Sequence, residues 1–426
     1  MIRQIAAVRG MNDVLPADIA AWQQLERIAR DLLEAYGYAE IRVPAVEHTE
    51  LFERAIGEHT DVVEKEMYTF TDQGGESLTL RPEATAGVVR AVIEHGMLRG
   101  QRHKLWCMGP MFRHEKPQKG RFRQFHQVDV EAIGFAGPDV DAELIALTAR
   151  LWNRLQITRI ALQLNSLGTA ESRRAYRATL TDYFRARDAQ LDADSRRRLE
   201  GNPLRILDSK NPEMQELIAG APLLTEHLDA ESRAHFDALR TALDAMGIAY
   251  RVNPRLVRGL DYYSRTVFEW TTDALGAQDA VCSGGRYDGL IEQLGGEPTP
   301  AVGFALGVER VVELLRLEGR PAEPRPPDVY VIASGERAGG AALQLIESLR
   351  NALPGRRFEL GLGGGAFKAQ FRRADRSGAP LAVILGDEEI ARGCAALKPL
   401  RRDAGQIECP LAALAGRIEA ALDSPE

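Results

Sequence analysis

Residues 109–131 read GPMFRHEKPQKGRFRQFHQVDVE, and the fold turns on how this stretch is interpreted. Gly109-Pro110 has turn chemistry, and Met111, Phe112 and Arg113 read as the end of a strand. A polar loop punctuated by Pro and Gly follows from His114 to Gly120, and a second run alternates over residues 121–131. That pattern predicts an antiparallel hairpin with a long basic loop. Residues 101–124 hold seven Lys/Arg and one acidic residue in a chain whose net charge is -7. A concentrated positive loop on an acidic protein suggests a polyanion held at one place. A basic turn merely solvated by water is the alternative. Against it stand Arg113, Gln127 and Glu131, which flank the loop at strand positions where the pleat sets side-chain direction. With period two, Arg121, Arg123, Phe125, Gln127 and Glu131 share one face. Two arginines, an aromatic, an amide and a carboxylate on one face describe a site, not a core.

At 426 residues the chain exceeds one ordinary core, so two or three domains are expected. Composition is globular, 45% hydrophobic and 27% charged. The opening MIRQIAAVRGMNDVLP lacks the apolar centre of a secretion signal. No run has the length needed to span a bilayer, so no membrane partner is expected. Cys107, Cys282, Cys394 and Cys409 are far apart and form no CxxC pair, which gives neither a zinc site nor a disulfide framework. A reducing cytoplasm fits. The acidic balance argues against non-specific coating of nucleic acid while permitting local basic grooves.

Outward from the hairpin, residues 17–36 form an amphipathic helix with Ile19, Trp22, Leu25, Ile28, Leu32 and Tyr36 on one stripe and Gly37 as the stop. Ile41 to Val43 and Leu78 to Leu80 read as strands, the second delivering Arg81-Pro82-Glu83 to a loop. Residues 86–95 are helical and 104–108 extended. The order predicts a mixed, largely antiparallel sheet with helices packed on it. From about Ser172 to Arg240 strand signals vanish and charged helical segments take over. Sheet texture resumes at Tyr250 to Val252 and continues through Thr266 to Trp270. The Pro-rich stretch EGRPAEPRPPD, residues 318–328, marks a boundary. Beyond it, alternating strands and helices predict a small α/β domain with a mainly parallel sheet. The expected division is a catalytic domain over 1–171 and 241–320, a helical insertion over 172–240, a linker over 321–327 and a terminal domain over 328–426.

Further constellations lie downstream. Arg258-Gly259-Leu260-Asp261-Tyr262-Tyr263 gathers polar and aromatic side chains ahead of an apolar strand, where tyrosines are also common as core-edge residues. Gly284-Gly285-Arg286-Tyr287-Asp288-Gly289 reads as a tight loop that closes on a ligand. Gly303 to Gly307 is a small-residue strand turning into a helix that begins at Arg310, and its glycines suit either close packing or a flat ligand. Gly361, Gly363 and Ala366 imitate a dinucleotide fingerprint. That reading fails because the glycines follow a second strand and no acidic partner ends the next one. A glycine-rich turn before a helix, or a backbone nest for an RNA phosphate, remains.

Taken together these stretches resemble the histidyl-tRNA synthetase family, class II aminoacyl-tRNA synthetases of bacterial type, over essentially the whole chain. Pro44 sits where the first class motif has its proline. Phe112-Arg113-His114-Glu115 through Phe125 is similar to the second motif, and Gly303 to Arg310 to the third. Residues 256–263 and 284–289 are similar to the stretches specific to histidine enzymes. Gly363-Gly364-Gly365 with residues 368–375 is similar to the anticodon-binding domain. Ala84 departs from the family, which often has Gly there. The resemblance implies an α+β catalytic domain with an antiparallel sheet, a helical insertion and a C-terminal α/β anticodon-binding domain. It implies ligation of L-histidine to tRNA-His at the expense of ATP, through a histidyl-adenylate. By the same resemblance Arg113 and Arg258 meet the α-phosphate as the catalytic residues, and Arg121 the outer phosphates. Phe125 and Arg310 sandwich adenine. Glu83, Ala84 and Thr85 lie at the α-ammonium, Glu131 and Tyr263 read the imidazole, and Gln127, Tyr262 and Tyr287 line that pocket. Gln118 and Arg123 meet tRNA. ATP is expected as a complex with Mg2+, no tightly bound protein metal is expected, and a homodimer is. The rival is a non-catalytic, synthetase-like regulatory subunit that binds histidine. Such relatives typically lose the catalytic arginines and the C-terminal domain, whereas Arg113, Arg258 and Arg310 and a terminal α/β segment are all present here.

Overall fold

The structure is a computed structural model that describes residues 4–423 apart from 58, 59, 119, 208, 210 and 277–279. Lys119 of the basic loop therefore lies outside the described residues. The chain divides into two compact units, Met1–Glu323 and Pro324–Glu426.

Among the described residues the strands of the first unit are β1 (Ala39–Glu40), β2 (Val46–His48), β3 (Tyr68–Thr71), β4 (Ser77–Leu80), β5 (His103–Phe112), β6 (Gln124–Ile133), β7 (Ala161–Ser166), β8 (Arg251–Val252), β9 (Ser264–Thr271), β10 (Ala280–Arg286) and β11 (Ala301–Gly307). Eight of them form one sheet in the order β1-β5-β6-β11-β10-β9-β7-β8, and β2-β4-β3 form a second. The large sheet is antiparallel except at its two edges, where β1 runs parallel to β5 and β8 parallel to β7. The hairpin is present as β5 and β6, paired from His103↔Ile133 to Phe112↔Gln124.

Two details of the hairpin differ from the sequence reading. Gly109-Pro110 is not a turn but the interior of β5, opposite Gln127 and His126. Proline is tolerated there because the His126 N–H points away from β5 and donates to Glu309, so Pro110 occupies a non-hydrogen-bonded pair and removes no ladder bond. The second strand starts at Gln124, so Arg121 and Arg123 belong to the loop. Likewise Gly284-Gly285-Arg286 is part of strand β10, not a loop. Gly284 is required by the close approach of β10 and β11, since a β-carbon there would collide with the Gly303 carbonyl.

Strand alternation decides which face is core. Val128, Val130 and Ala132 of β6 pack with Val302, Phe304 and Leu306 of β11 and with Phe268 and Trp270 of β9. Four helices close over that face: α1 (Ile19–Ala35), then, beyond α2 (Thr49–Ile56) and α3 (Thr85–Glu94), α4 (Pro138–Leu155), and later those over Ala230–Ala245 and Val308–Leu317. The stripe of α1 that is buried runs through Trp22, Leu25, Leu32 and Leu33, and Gly37 at φ +78° ends the turn beyond it. Each Leu or Val so withdrawn contributes about 1.5–3 kcal/mol, so a one-residue slip of β6, which would drive Gln127, Asp129 and Glu131 into this core, is strongly disfavoured.

Between β7 and β8 the described residues hold helices only: α5 (Ala170–Arg185), α6 (Ala193–Gly201), α7 (Gln215–Ala219) and α8 (Ala230–Ala245). Side chains of Thr169, Asp192 and Asp229 cap α5, α6 and α8 by accepting from the backbone N–H three residues on. Tyr176, Leu180, Phe184, Leu199, Ile206 and Met214 are buried in one apolar cluster with Phe52, Val88, Val257 and Tyr287, so this segment shares a core with the elements around it. Helices α9 (Leu290–Gln293) and α10 (Val308–Leu317) complete the first unit.

In the second unit β12 (Val329–Ser334), β13 (Phe358–Leu360), β14 (Leu381–Gly386), β15 (Cys394–Pro399) and β16 (Ile407–Pro410) lie in the order β13-β12-β14-β15-β16. Pairings of β12 with β13 and β14 are parallel, but β14–β15 and β15–β16 are antiparallel, so the sheet is mixed where a mainly parallel one was expected. Helices α11 (Ala338–Ala352), α12 (Phe367–Arg376), α13 (Asp387–Arg392) and α14 (Leu414–Asp423) accompany it. Buried Gln370 of α12 donates to the carbonyls of Ala333 and Gly365 and ties the helix to β12. The preceding glycines adopt positive φ at 363, 364 and 365 (+77°, +58° and +103°), a run that side-chain-bearing residues do not sustain.

Candidate active site

The face of the large sheet opposite the apolar core floors a cleft of about 640 Å³. Phe125, Gln127, Asp129 and Glu131 project from β6 into it. Their partners across β11 are small: Glu131 pairs with Gly303, Asp129 with Ala305 and Gln127 with Gly307. That pairing opens space on this face, and it leaves no choice at 303, where any β-carbon would collide with the Glu131 carboxylate. One register row crosses the floor from Asp129 through Ala305, Ser283 and Glu269 to Gln163, on five successive strands.

One part of the cleft is a cluster of acids and phenols. Strand β4 hands the chain to α3 through Glu83, whose two carboxylate oxygens accept from the backbone N–H of Thr85 at 2.9 Å and of Ala86 at 2.8 Å. This is an anion at a helix N-terminus, a favourable placement. Thr85 Oγ1 donates to Glu131 Oε1 at 2.6 Å, and the Tyr287 hydroxyl donates to Glu131 Oε2. Tyr262 lies against both Tyr263 and Tyr287, with ring centroids 4.7 and 5.7 Å apart. Burial pushes the Glu131 carboxyl well above the usual range, against the hydrogen bonds from Thr85 and Tyr287 that favour its charge. Burial raises the Glu83 carboxyl in the same way, opposed by its backbone hydrogen bonds.

The other part is cationic. Arg113, just past β5, donates from Nε to the Pro82 carbonyl at 2.9 Å and lies over the Phe125 ring, 5.4 Å from its centroid. Arg258 Nη1 donates to Glu269 Oε1 at 2.8 Å, and its guanidinium lies 5.6 Å from the centre of the Tyr263 ring. Arg121 engages Glu115, and Arg310, in the first turn of α10, packs beside Gly120 and Gly307. A cleft with arginines along one part and hydrogen-bonded carboxyls and phenols along the other suits a ligand that is anionic at one end and a hydrogen-bonding cation at the other.

Glu83, Thr85, Arg113, Arg121, Phe125, Gln127, Glu131, Arg258, Tyr262, Tyr263, Tyr287 and Arg310 all line this cleft. Ala84 does not; it is fully buried as the residue preceding α3. Gln118 and Arg123 stand apart as well. Gln118 is exposed and bridges Arg121, whereas Arg123 donates its N–H to the Gly10 carbonyl. Sequence reasoning missed Asp129 and Glu269. Asp129 was legible, because it shares parity with Gln127 and Glu131. Glu269 was not, because the strand around it is apolar and only cross-strand register brings it to Arg258.

The family model for histidyl-tRNA synthetase matches residues 10–311, and that for an anticodon-binding domain matches residues 328–420. Apo histidyl-tRNA synthetase of S. aureus superposes with a TM-score of 0.82 at 35% identity, covering 98% of this chain and 100% of that one. The chain belongs to the histidyl-tRNA synthetase family. Histidyl-tRNA synthetase from a Nostoc species has the same fold at 21% identity and a TM-score of 0.68, covering 98% of this chain and all of its own. So has a Bacillus halodurans protein described as an ATP phosphoribosyltransferase regulatory subunit/histidyl-tRNA synthetase, at 22% identity and a TM-score of 0.64, covering 88% of this chain and 97% of that one. The catalytic architecture is that of a class II histidine–tRNA ligase, with the anticodon-binding domain carried on the second unit. Among the described residues no helix is long and apolar enough to cross a membrane, and no group of three or more His, Cys, Asp or Glu is placed to hold a metal ion.

Proposed function

We propose that this synthetase activates L-histidine with ATP as enzyme-bound histidyl-adenylate, releases pyrophosphate, and passes the histidyl group to the terminal ribose of tRNA-His. What carries the reading is the convergence of four arginines and the Glu83–Thr85–Glu131–Tyr287 network on one cleft. Attack of the carboxylate on the α-phosphate builds negative charge, and fixed cations stabilise it. Arg113 and Arg258 serve there. Arg121 leaves Glu115 for the outer phosphates of an ATP that arrives with its Mg2+, and Phe125 and Arg310 hold adenine between them. Glu83 and Thr85 hold the α-ammonium. Glu131 and Tyr263 read the imidazole, whose two nitrogens are one donor and one acceptor, with Gln127, Tyr262 and Tyr287 around them. Gln118 and Arg123 face the acceptor end of tRNA, and the protein works in the cytoplasm as a homodimer. The expected domain limits, with a helical insertion over 172–240, belong to this proposal.

Histidine-dependent exchange of pyrophosphate into ATP is the direct test. Exchange that requires histidine, and is not supported by amino acids lacking a ring nitrogen, is the expected result. Tight histidine binding without any exchange would make the chain a regulatory binder.

A further inference from the structure

We propose that Asp129 acts beside Glu83 as a counter-charge for the α-ammonium of the substrate amino acid, so that this cleft selects a primary amine as well as an imidazole. The inference rests on the histidine-activating reading of the cleft. It follows from comparing three carboxyls that share one floor. Glu83 already accepts a backbone N–H on each of its oxygens. Glu131 accepts a hydroxyl on each of its own. Asp129 is 1% exposed and lines the cleft, and among the described residues neither of its oxygens has a hydrogen-bond partner. A buried carboxyl left so is costly, and such a group in a ligand cleft is where a donor belongs.

The surroundings specify the donor. Asp129 feels the charges of Glu83, Arg81 and Arg113. The two arginines are committed elsewhere: Arg81 to the carbonyls of Pro110 and Val43, Arg113 to that of Pro82. Ala305, directly opposite on β11, supplies no polar atom of its side chain. Glu83, Asp129 and Glu131 bring three carboxyls to the cleft. Burial pushes the Asp129 carboxyl well above its usual range, and the charge of Glu83 adds to this. An ammonium brings a positive charge and three donors, which favours the ionised carboxylate and fills the open acceptor sites together.

The experiment uses the full chain, wild type and Asp129→Asn, with three probes titrated calorimetrically: L-histidine, L-histidinol, which keeps the amine, and imidazole-4-propionate, which lacks it. Asp129→Asn should weaken histidine and histidinol by about tenfold or more and leave imidazole-4-propionate and ATP within about twofold, the size of effect expected for one charged hydrogen bond. Equal weakening of all three imidazoles, or of none, overturns the inference. Asp129→Ser serves the same comparison should the amide not fold. Glu131→Ala separates this inference from the reading beneath it. If that variant binds all three imidazoles as wild type does, the imidazole pocket itself is misassigned. If it loses them while Asp129→Asn loses nothing, only the ammonium assignment falls.

Discussion

Single side chains in this protein divide into those that hold the fold and those placed for the reaction, and the two classes predict different losses. Arg258 reaches the cleft from an irregular segment and is steadied by Glu269 at 2.8 Å, which itself accepts from Ser283 at 3.2 Å. Arg258→Ala should slow adenylate formation by about two to three orders of magnitude, the usual effect of deleting one preorganised donor, with histidine affinity much less affected. Rapid-quench measurement of adenylation decides it, and near-normal speed in the variant removes Arg258 from the transition state. Asp229 is the contrasting case. Burial pushes its carboxyl up, but hydrogen bonds from Ser172, Ser232 and Thr169 overcome that and hold it below the usual range. A depressed folded value means the contribution is complete above the unfolded value near pH 4 and fades as pH falls below it. Asp229→Ala should therefore cost about 1–2 kcal/mol at pH 7, as loss of an N-cap does, and the gap to wild type should narrow below about pH 4. Urea unfolding at several pH values reads both. A gap that stays constant on acidification would mean that the hydroxyl partners, not the charge, matter.

Elements explain why that irregular segment is so well placed. The chain from Leu256 to Tyr263 is held from outside by the helical stretch between β7 and β8. Arg205 Nη1 donates to the Gly259 carbonyl at 2.8 Å, Asn202 Nδ2 to Asp261 Oδ1 at 2.6 Å, and Arg173 Nη1 to the carbonyls of Asp261 and Tyr263. The helices thus orient the loop that carries Arg258 and Tyr263. Arg205→Ala should lower kcat/KM for histidine by about tenfold through misplacement of these groups, while KM for ATP changes little. Steady-state exchange over both substrates tests this, and an unchanged histidine parameter would show that the loop holds its own shape. At this scale the sequence was legible where periodicity was strong. The helix expected over residues 17–36 is present, trimmed by two residues at the start and one at the end. It was misleading at Gly109-Pro110 and Gly284-Gly285, because local turn chemistry was overridden by strand partners far away in sequence. Strands β15 and β16 went unread for a similar reason: Cys394-Ala395-Ala396 has little β propensity and is extended because β14 pairs with it.

For the whole molecule, the division at Glu323–Pro324 makes a clean prediction, since every cleft residue lies before it. A chain ending at Glu323, provided it folds and keeps its assembly, should exchange pyrophosphate at close to the full rate. It should charge tRNA-His poorly, with a raised KM for the RNA, because the anticodon-binding unit is gone. Aminoacylation of intact and anticodon-substituted tRNA-His by both proteins measures it. Equal charging by the truncated chain would remove anticodon reading from the second unit.

The sequence by itself determined the two-part organisation, the hairpin, and nearly all of the cleft. Arginines, tyrosines and carboxylates are costly to bury, so their clustering at strand parity around Gln127 and Glu131 already announced a solvent-facing site. Only the tertiary structure decided which of them meet. Glu131 joins Thr85, 46 residues away, and Tyr287, 156 residues away, through the pairing of β5, β6 and β11 and the placement of α3. Whether Asp129 ends with a partner or without one is likewise a property of neighbours that no local pattern encodes. Side-chain direction follows from the two-residue period of a strand, but the atoms that fill the space in front of it come from chain segments whose separation in sequence says nothing about their distance.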